Sequence, residues 1–179
     1  MASKTAKFPY WEVIGKSPIW WQFWKTYMYR LHLTPYINWK GKRYYLHIFF
    51  RPDEDRDFHD HPWGFKTTVL FGGYDETSHV MTPSETFNSD GLLSKNAGLF
   101  VPSGEHVEDR LGWLSVRTRP ATHAHRITKL HTWFVVTLVE RDNTRGRQWG
   151  FWTQVIPGEW KWVRWEDYLG VPHRKTEAY

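Results

Sequence analysis

Between Arg43 and Val163, short runs of aromatic and β-branched residues alternate with polar ones and are broken by turn residues. The pattern predicts strands over Arg43 to Phe50, Lys66 to Phe71, Leu99 to Val101, Leu114 to Thr118, Trp133 to Val139 and Trp149 to Val155, with a short last one at Trp160 to Val163. Gly72-Gly73 reads as a turn. Many short strands separated in this way fit a closed barrel or a sandwich. The segment Thr77 to Asn96 is polar and contains Pro83, Asn88, Asp90 and Gly91, so a long loop or irregular hairpin is expected there. Arg164 to Leu169 reads as one helical turn.

Upstream of Asn38 the period changes. Ile19, Trp20, Phe23, Trp24, Tyr27, Met28 and Leu31 fall on one broad face at helical spacing. Ser17 suits an N-cap and Pro18 the first helical position, so a helix over Pro18 to Leu31, packed outside the strands, is expected. The organisation expected is a single domain: a helical extension over 1–38, the β unit over 39–170 and a polar tail over 171–179.

Composition narrows the chemistry. Of 179 residues 18% are aromatic, 13 of them Trp, which excludes a largely disordered chain and points to a core of flat side chains. There is no Cys, so any metal must be held by His, Asp or Glu. The start of the chain is polar and apolar runs are short, which leads to the expectation of a cytoplasmic protein without a membrane partner. The net charge of +5 is spread along the chain with no lysine-arginine block. Nucleic acid is therefore not the expected partner, whereas an anionic small-molecule substrate is, and a homodimer is compatible with the sequence.

Ten His residues are present. In Phe58-His59-Asp60-His61-Pro62-Trp63 the two His are two apart, so a strand aims both imidazoles into one volume, the geometry a metal needs from neighbouring ligands. A second element is Pro120-Ala121-Thr122-His123-Ala124-His125-Arg126. Four residues separate His61 from Lys66 and six more separate Lys66 from Gly73; His125 lies five positions after Pro120. On these residues the chain resembles the cupins, whose first motif is a paired H-x-H followed by a Glu and a Gly at this spacing, and whose second carries a His five positions after a Pro. It resembles more closely a group of bacterial and phage cupins with an HDHPW stretch. They share with it Asp53-Glu54-Asp55-Arg56, Gly72 to Tyr74, Arg119-Pro120-Ala121, His125-Arg126 and Arg147-Gln148-Trp149-Gly150-Phe151.

The resemblance implies a mainly β cupin fold, a double-stranded β-helix or jelly-roll barrel. It also implies a divalent transition metal on His59, His61 and His125, Fe(II) being favoured over Ni, Mn or Zn. Where the motif has Glu this chain has Lys66, and Thr122 and Lys129 replace the Gly and Asn of the second motif. A three-histidine centre results, a ligand set also used by the thiol dioxygenases among cupins. The vacant fourth position could go to His123, Glu76, Asp60 or water; His123 shares the strand parity of His125, whereas Asp60 has the opposite parity to His59 and His61.

Three neutral imidazoles leave a metal with its full charge, which favours an anionic substrate. Arg51, Arg119, Arg126 and Arg147 could hold such an anion or pair with the acids near Asp53. Trp63 and Trp149 suit pocket walls or core. The function expected is a mononuclear non-haem iron oxygenase acting on a small polar or anionic molecule, with Arg119 and Arg126 orienting it. One alternative is a sugar-nucleotide isomerase or epimerase using a His with Tyr74 as base and acid. A non-enzymatic small-molecule-binding protein is the other.

Overall fold

The computed structural model describes residues 9–15, 26–33, 42–53, 57–83, 100–142 and 148–170. In chain order the elements are β1 (Tyr10–Ile14), β2 (Met28–His32), β3 (Lys42–Phe49), β4 (Phe58–His59), β5 (Phe65–Phe71), β6 (Tyr74–Pro83) and β7 (Phe100–Leu111). They continue with β8 (Val116–Arg119), β9 (His125–Leu130), β10 (Val135–Asp142), β11 (Gly150–Ile156), β12 (Glu159–Arg164) and the single turn α1 (Trp165–Tyr168).

Two antiparallel sheets of six strands form, in the orders β1-β2-β3-β10-β5-β8 and β12-β11-β4-β9-β6-β7. Alternation builds the first. Tyr45, His47 and Phe49 of β3, Phe65, Thr67 and Val69 of β5, and Val135, Thr137 and Val139 of β10 are buried, while the residues between them are not. Met28, Phe49, Val69 and Val135 of this sheet pack against Tyr74, Leu111 and Ile127 of the other, so the sheets lie face to face. Gly72, at φ +73°, makes the turn between β5 and β6, where a Cβ would meet Thr132 Oγ1 at 2.4 Å.

Three expectations are corrected. Among the described residues no ladder joins the edges of the two sheets, so side-chain packing rather than barrel closure unites them, and the architecture is a sandwich. Met28 to Leu31, the end of the expected helix, is strand β2. Met28 and His32 turn to the interior, while Tyr29 packs edge-on against Trp11 and Phe50 on the other side, a two-sided arrangement that a strand supplies. The expected positions 18–25 lie outside the described residues. Thr77 to Pro83 belongs to strand β6, and its polarity has a local cause: Glu76, Thr77, Ser78 and His79 are all buried. Positions 84–96 of the expected loop, and the tail from 171, also lie outside the described residues.

Candidate metal centre

Strand register assembles the histidines. His59 is paired with Phe151 on one side and His125 on the other, and His125 is paired in turn with Ser78. On the face turned to the first sheet, β4 presents His59, β9 His125 and β6 Glu76; on the outer face the same strands present Phe58, Arg126 and His79. His61, just past β4, is fixed by its backbone N–H donating to the Ala121 carbonyl at 3.1 Å. The ring centroids of His59, His61 and His125 are mutually 4.9–5.1 Å apart. The Nε2 atoms of His61 and His125 are 2.8 Å apart, and Phe65 walls the group with its ring 4.4 Å from that of His61.

Burial decides the charge state. It lowers the pKa of His59 to about 4, with Asp53 opposing and His125 reinforcing the shift. It holds His61 well below the usual imidazole value, and the facing His125 and His59 add to this. Both are therefore neutral at pH 7 and offer lone pairs. Metal–imidazole bonds of about 2.0–2.1 Å at near right angles place adjacent nitrogens roughly 3 Å apart, so the His61–His125 spacing fits a shared cation. Among the described residues these form one of two such groups whose donor atoms all lie within 4.8 Å of one another; Glu76, His123 and His125 form the other.

The second group has another task. Arg119 donates from Nε and Nη2 to Glu76 Oε1 at 3.1 and 2.8 Å, and from Nη2 to Asp109 at 2.6 Å. Burial pulls the Glu76 pKa up, but His125, His123 and Arg119 outweigh it and hold the carboxylate well below its usual value. With a guanidinium already on it, Glu76 is poorly placed to attract a second cation. Its Oε2 lies 3.0 Å from His125 Nδ1, while His123 Nε2 is 3.0 Å from Oε1. A carboxylate beside Nδ1 favours the tautomer with the proton there, which turns the Nε2 lone pair of His125 toward His61. Asp53 lies near His59 but outside hydrogen-bond reach, its Oδ2 4.0 Å from Nδ1; it accepts the Ile127 N–H at 2.7 Å and is bonded by the Tyr27 hydroxyl.

The remaining sequence candidates fall elsewhere. Arg119 is committed to Glu76 and Asp109 and holds the centre rather than a substrate. Arg126 is on the outer face, its guanidinium 5.1 Å from the Phe58 ring centre. Tyr74 sits in the apolar cluster between the sheets, where burial, then Glu76, raise its pKa. Asp60 is fully buried and turned away from the imidazoles, accepting the Gly150 N–H at 2.8 Å and the Trp162 indole N–H at 3.1 Å. A Cβ at Gly150 would meet Val163 O at 2.1 Å, so only glycine allows that approach. Lys66 is exposed, pointing away from its buried neighbours Phe65 and Thr67.

Trp63 packs beside Tyr45, Phe65 and Val139 with Arg141 over its face, and Trp149 stacks on Trp165. Arg51 is half-buried, and Arg147 lies outside the described residues. Asp53 and Phe65 carry no signal in the sequence for the places they take: the one stands beside an acidic run, the other in an ordinary strand.

No family model matches the chain, and no curated protein matches it. Among solved structures the chain is similar to an Fe(II) HppE, at 10% identity and a TM-score of 0.49 over 79% of this chain and 60% of that one. It is also similar to a DMSP lyase (13% identity, TM-score 0.39, 66% of this chain and 48% of that). A third is a putative mannose-6-phosphate isomerase from Ralstonia eutropha (13% identity, TM-score 0.40, 64% of this chain and 85% of that). The chain thus spans 60% of the HppE chain and 48% of the lyase chain.

Proposed function

We propose that the chain is a cupin-type metalloprotein in which His59, His61 and His125 hold one divalent transition metal, Fe(II) by preference. We further propose that it acts as a mononuclear non-haem iron oxygenase on a small anionic molecule. The observation that carries this reading is the approach of the His61 and His125 Nε2 atoms to 2.8 Å, with the other nitrogen of His125 beside a carboxylate. Iron(II), when bound, supplies redox chemistry toward dioxygen. The chain's own residues do the rest. Glu76, anchored by Arg119, fixes the tautomer of His125, and Asp53 places a negative charge beside His59. Phe65 keeps water from one side of the centre. The side chains of His59 and His123 keep 18% and 13% of their surface open, so a substrate reaches the centre along them. Neutral imidazole ligands leave the metal its positive charge, which favours an anion.

Protein purified without a chelating tag should contain about one transition metal per chain by elemental analysis. Reloaded with Fe(II), it should consume oxygen only when a thiol, carboxylate or keto acid of the right shape is added. Hydrogen exchange at the carbons of a nucleotide sugar, with no oxygen uptake and no effect of chelator, would replace the oxygenase by an isomerase. The burial of Tyr74 already counts against that outcome. Metal-free protein, silent in both assays, would leave a non-enzymatic binding protein.

A further inference from the structure

The outer face of the second sheet holds an unexplained group of rings. His79 is buried with 4% of its surface exposed, and among the described residues its ring nitrogens have the Glu105 backbone nearby but no well-formed hydrogen bond. Three rings surround it: Phe58 at 4.0 Å, Trp160 at 4.3 Å and His106 at 4.5 Å between centroids. The indole N–H of Trp160 is also buried without a partner among the described residues. Those three rings, with Asp57 and Gln154, line a cleft of about 340 Å³. Unsatisfied buried donors and acceptors are uncommon in folded proteins, and here they gather under one opening.

We propose that this cleft is a second ligand site, independent of the metal centre, for a neutral pyranose sugar. Three features select that class. The charges balance, since the Asp57 carboxylate lines the cleft and the Arg126 guanidinium lies against its Phe58. An ionic ligand of either sign would meet repulsion from one of them. A cation is further disfavoured because Arg126 already covers a face of Phe58. The lining rings are also not parallel: Phe58 and His106 are inclined at 51°, and Trp160 stands at 73° to His79, which packs behind all three. They make a tilted bowl rather than a slot between two faces, which suits a puckered ring with C–H groups better than a flat base. Gln154 and His106, both exposed at the rim, supply amide and imidazole groups for hydroxyls.

The test is calorimetry and saturation-transfer NMR on the full chain. The probes are methyl glucopyranoside, methyl mannopyranoside, methyl galactopyranoside and cellobiose, with adenosine and tetramethylammonium as comparators. At least one pyranoside should bind, with or without EDTA. Gln154→Ala and His106→Ala, at exposed positions, should each weaken binding about ten-fold, the loss of one good hydrogen bond, with melting temperature unchanged. The proposal is overturned if no pyranoside binds, if binding survives both substitutions, if EDTA abolishes it, or if adenosine or tetramethylammonium binds more tightly than every sugar.

Discussion

His61 and His125 face each other through their Nε2 atoms at 2.8 Å, in a setting that keeps His61 uncharged at neutral pH. Two lone pairs at that distance need a proton or a cation between them. Replacing His61 and His125 together with Ala should therefore reduce bound metal from about one per chain to none, while circular dichroism still reports a folded β protein. Full metal content in the double variant would place the ligands elsewhere.

Glu76 is expected to act through His125. Glu76→Gln keeps the shape but removes the charge that orders the imidazole and balances Arg119. Metal affinity should fall about 10–100-fold in a competition titration, as for other partners of ligating histidines. Stability should fall by about 3 kcal/mol in denaturant unfolding, because Arg119 loses its main counter-charge. An unchanged affinity would detach Glu76 from the centre.

Lys66→Glu restores the residue that the cupin motif calls for, yet it should leave metal affinity unchanged. Lys66 is exposed and sits opposite Glu140 in the β5–β10 ladder. The new carboxylate would face outward beside another, costing about 0.5 kcal/mol at most. Tighter metal binding in the titration would mean that this strand turns over when metal is present.

His79 gives a pH signature. Burial lowers its pKa to about 4, with His106 adding to the shift and the Glu105 backbone opposing it. Unfolded, it titrates near 6.5, so between those values the unfolded chain holds the extra proton. The stability this neutral imidazole contributes is complete above pH 6.5 and is lost as pH falls toward 4. Denaturant unfolding from pH 7.5 to 4.5 should show a decline that is shallower by about one proton in His79→Phe. Identical slopes in the two proteins would contradict the assignment.

The parts of the molecule legible in the sequence are those where burial and polarity coincide. In β3, β5 and β10 aromatic and aliphatic residues crowd both faces, as in β3's Leu46 and Ile48 beside buried Tyr45 and Phe49, and that density marks them as strands. His59 and His61 pair by parity because the backbone through them is extended, and there residues i and i+2 share a face. Strand β6 is hidden in the sequence because both its faces bury polar side chains, Glu76 and Ser78 on one and His79 on the other. Strand β2 carries a helical pattern in the sequence because it packs on both sides: Tyr27, Met28 and Leu31 satisfy a helical stripe as well as a two-faced strand. The link from Arg119 to His125 runs through Glu76, which stands 43 residues before Arg119 in the chain, and no local spacing encodes it.

Strand β4 is two residues long, and its frame rests on Phe58 opposite Trp152 and His59 opposite Phe151. A slip of one position would exchange its faces, sending the imidazole outward and the phenyl ring in among His61 and His125. So short a ladder cannot resist that error by itself. Asp60, locked to Gly150 and the Trp162 indole in the dry space immediately beyond, accepts only one frame. A carboxylate that never touches the chemistry thereby serves as the reading-frame guard for the histidines on either side of it.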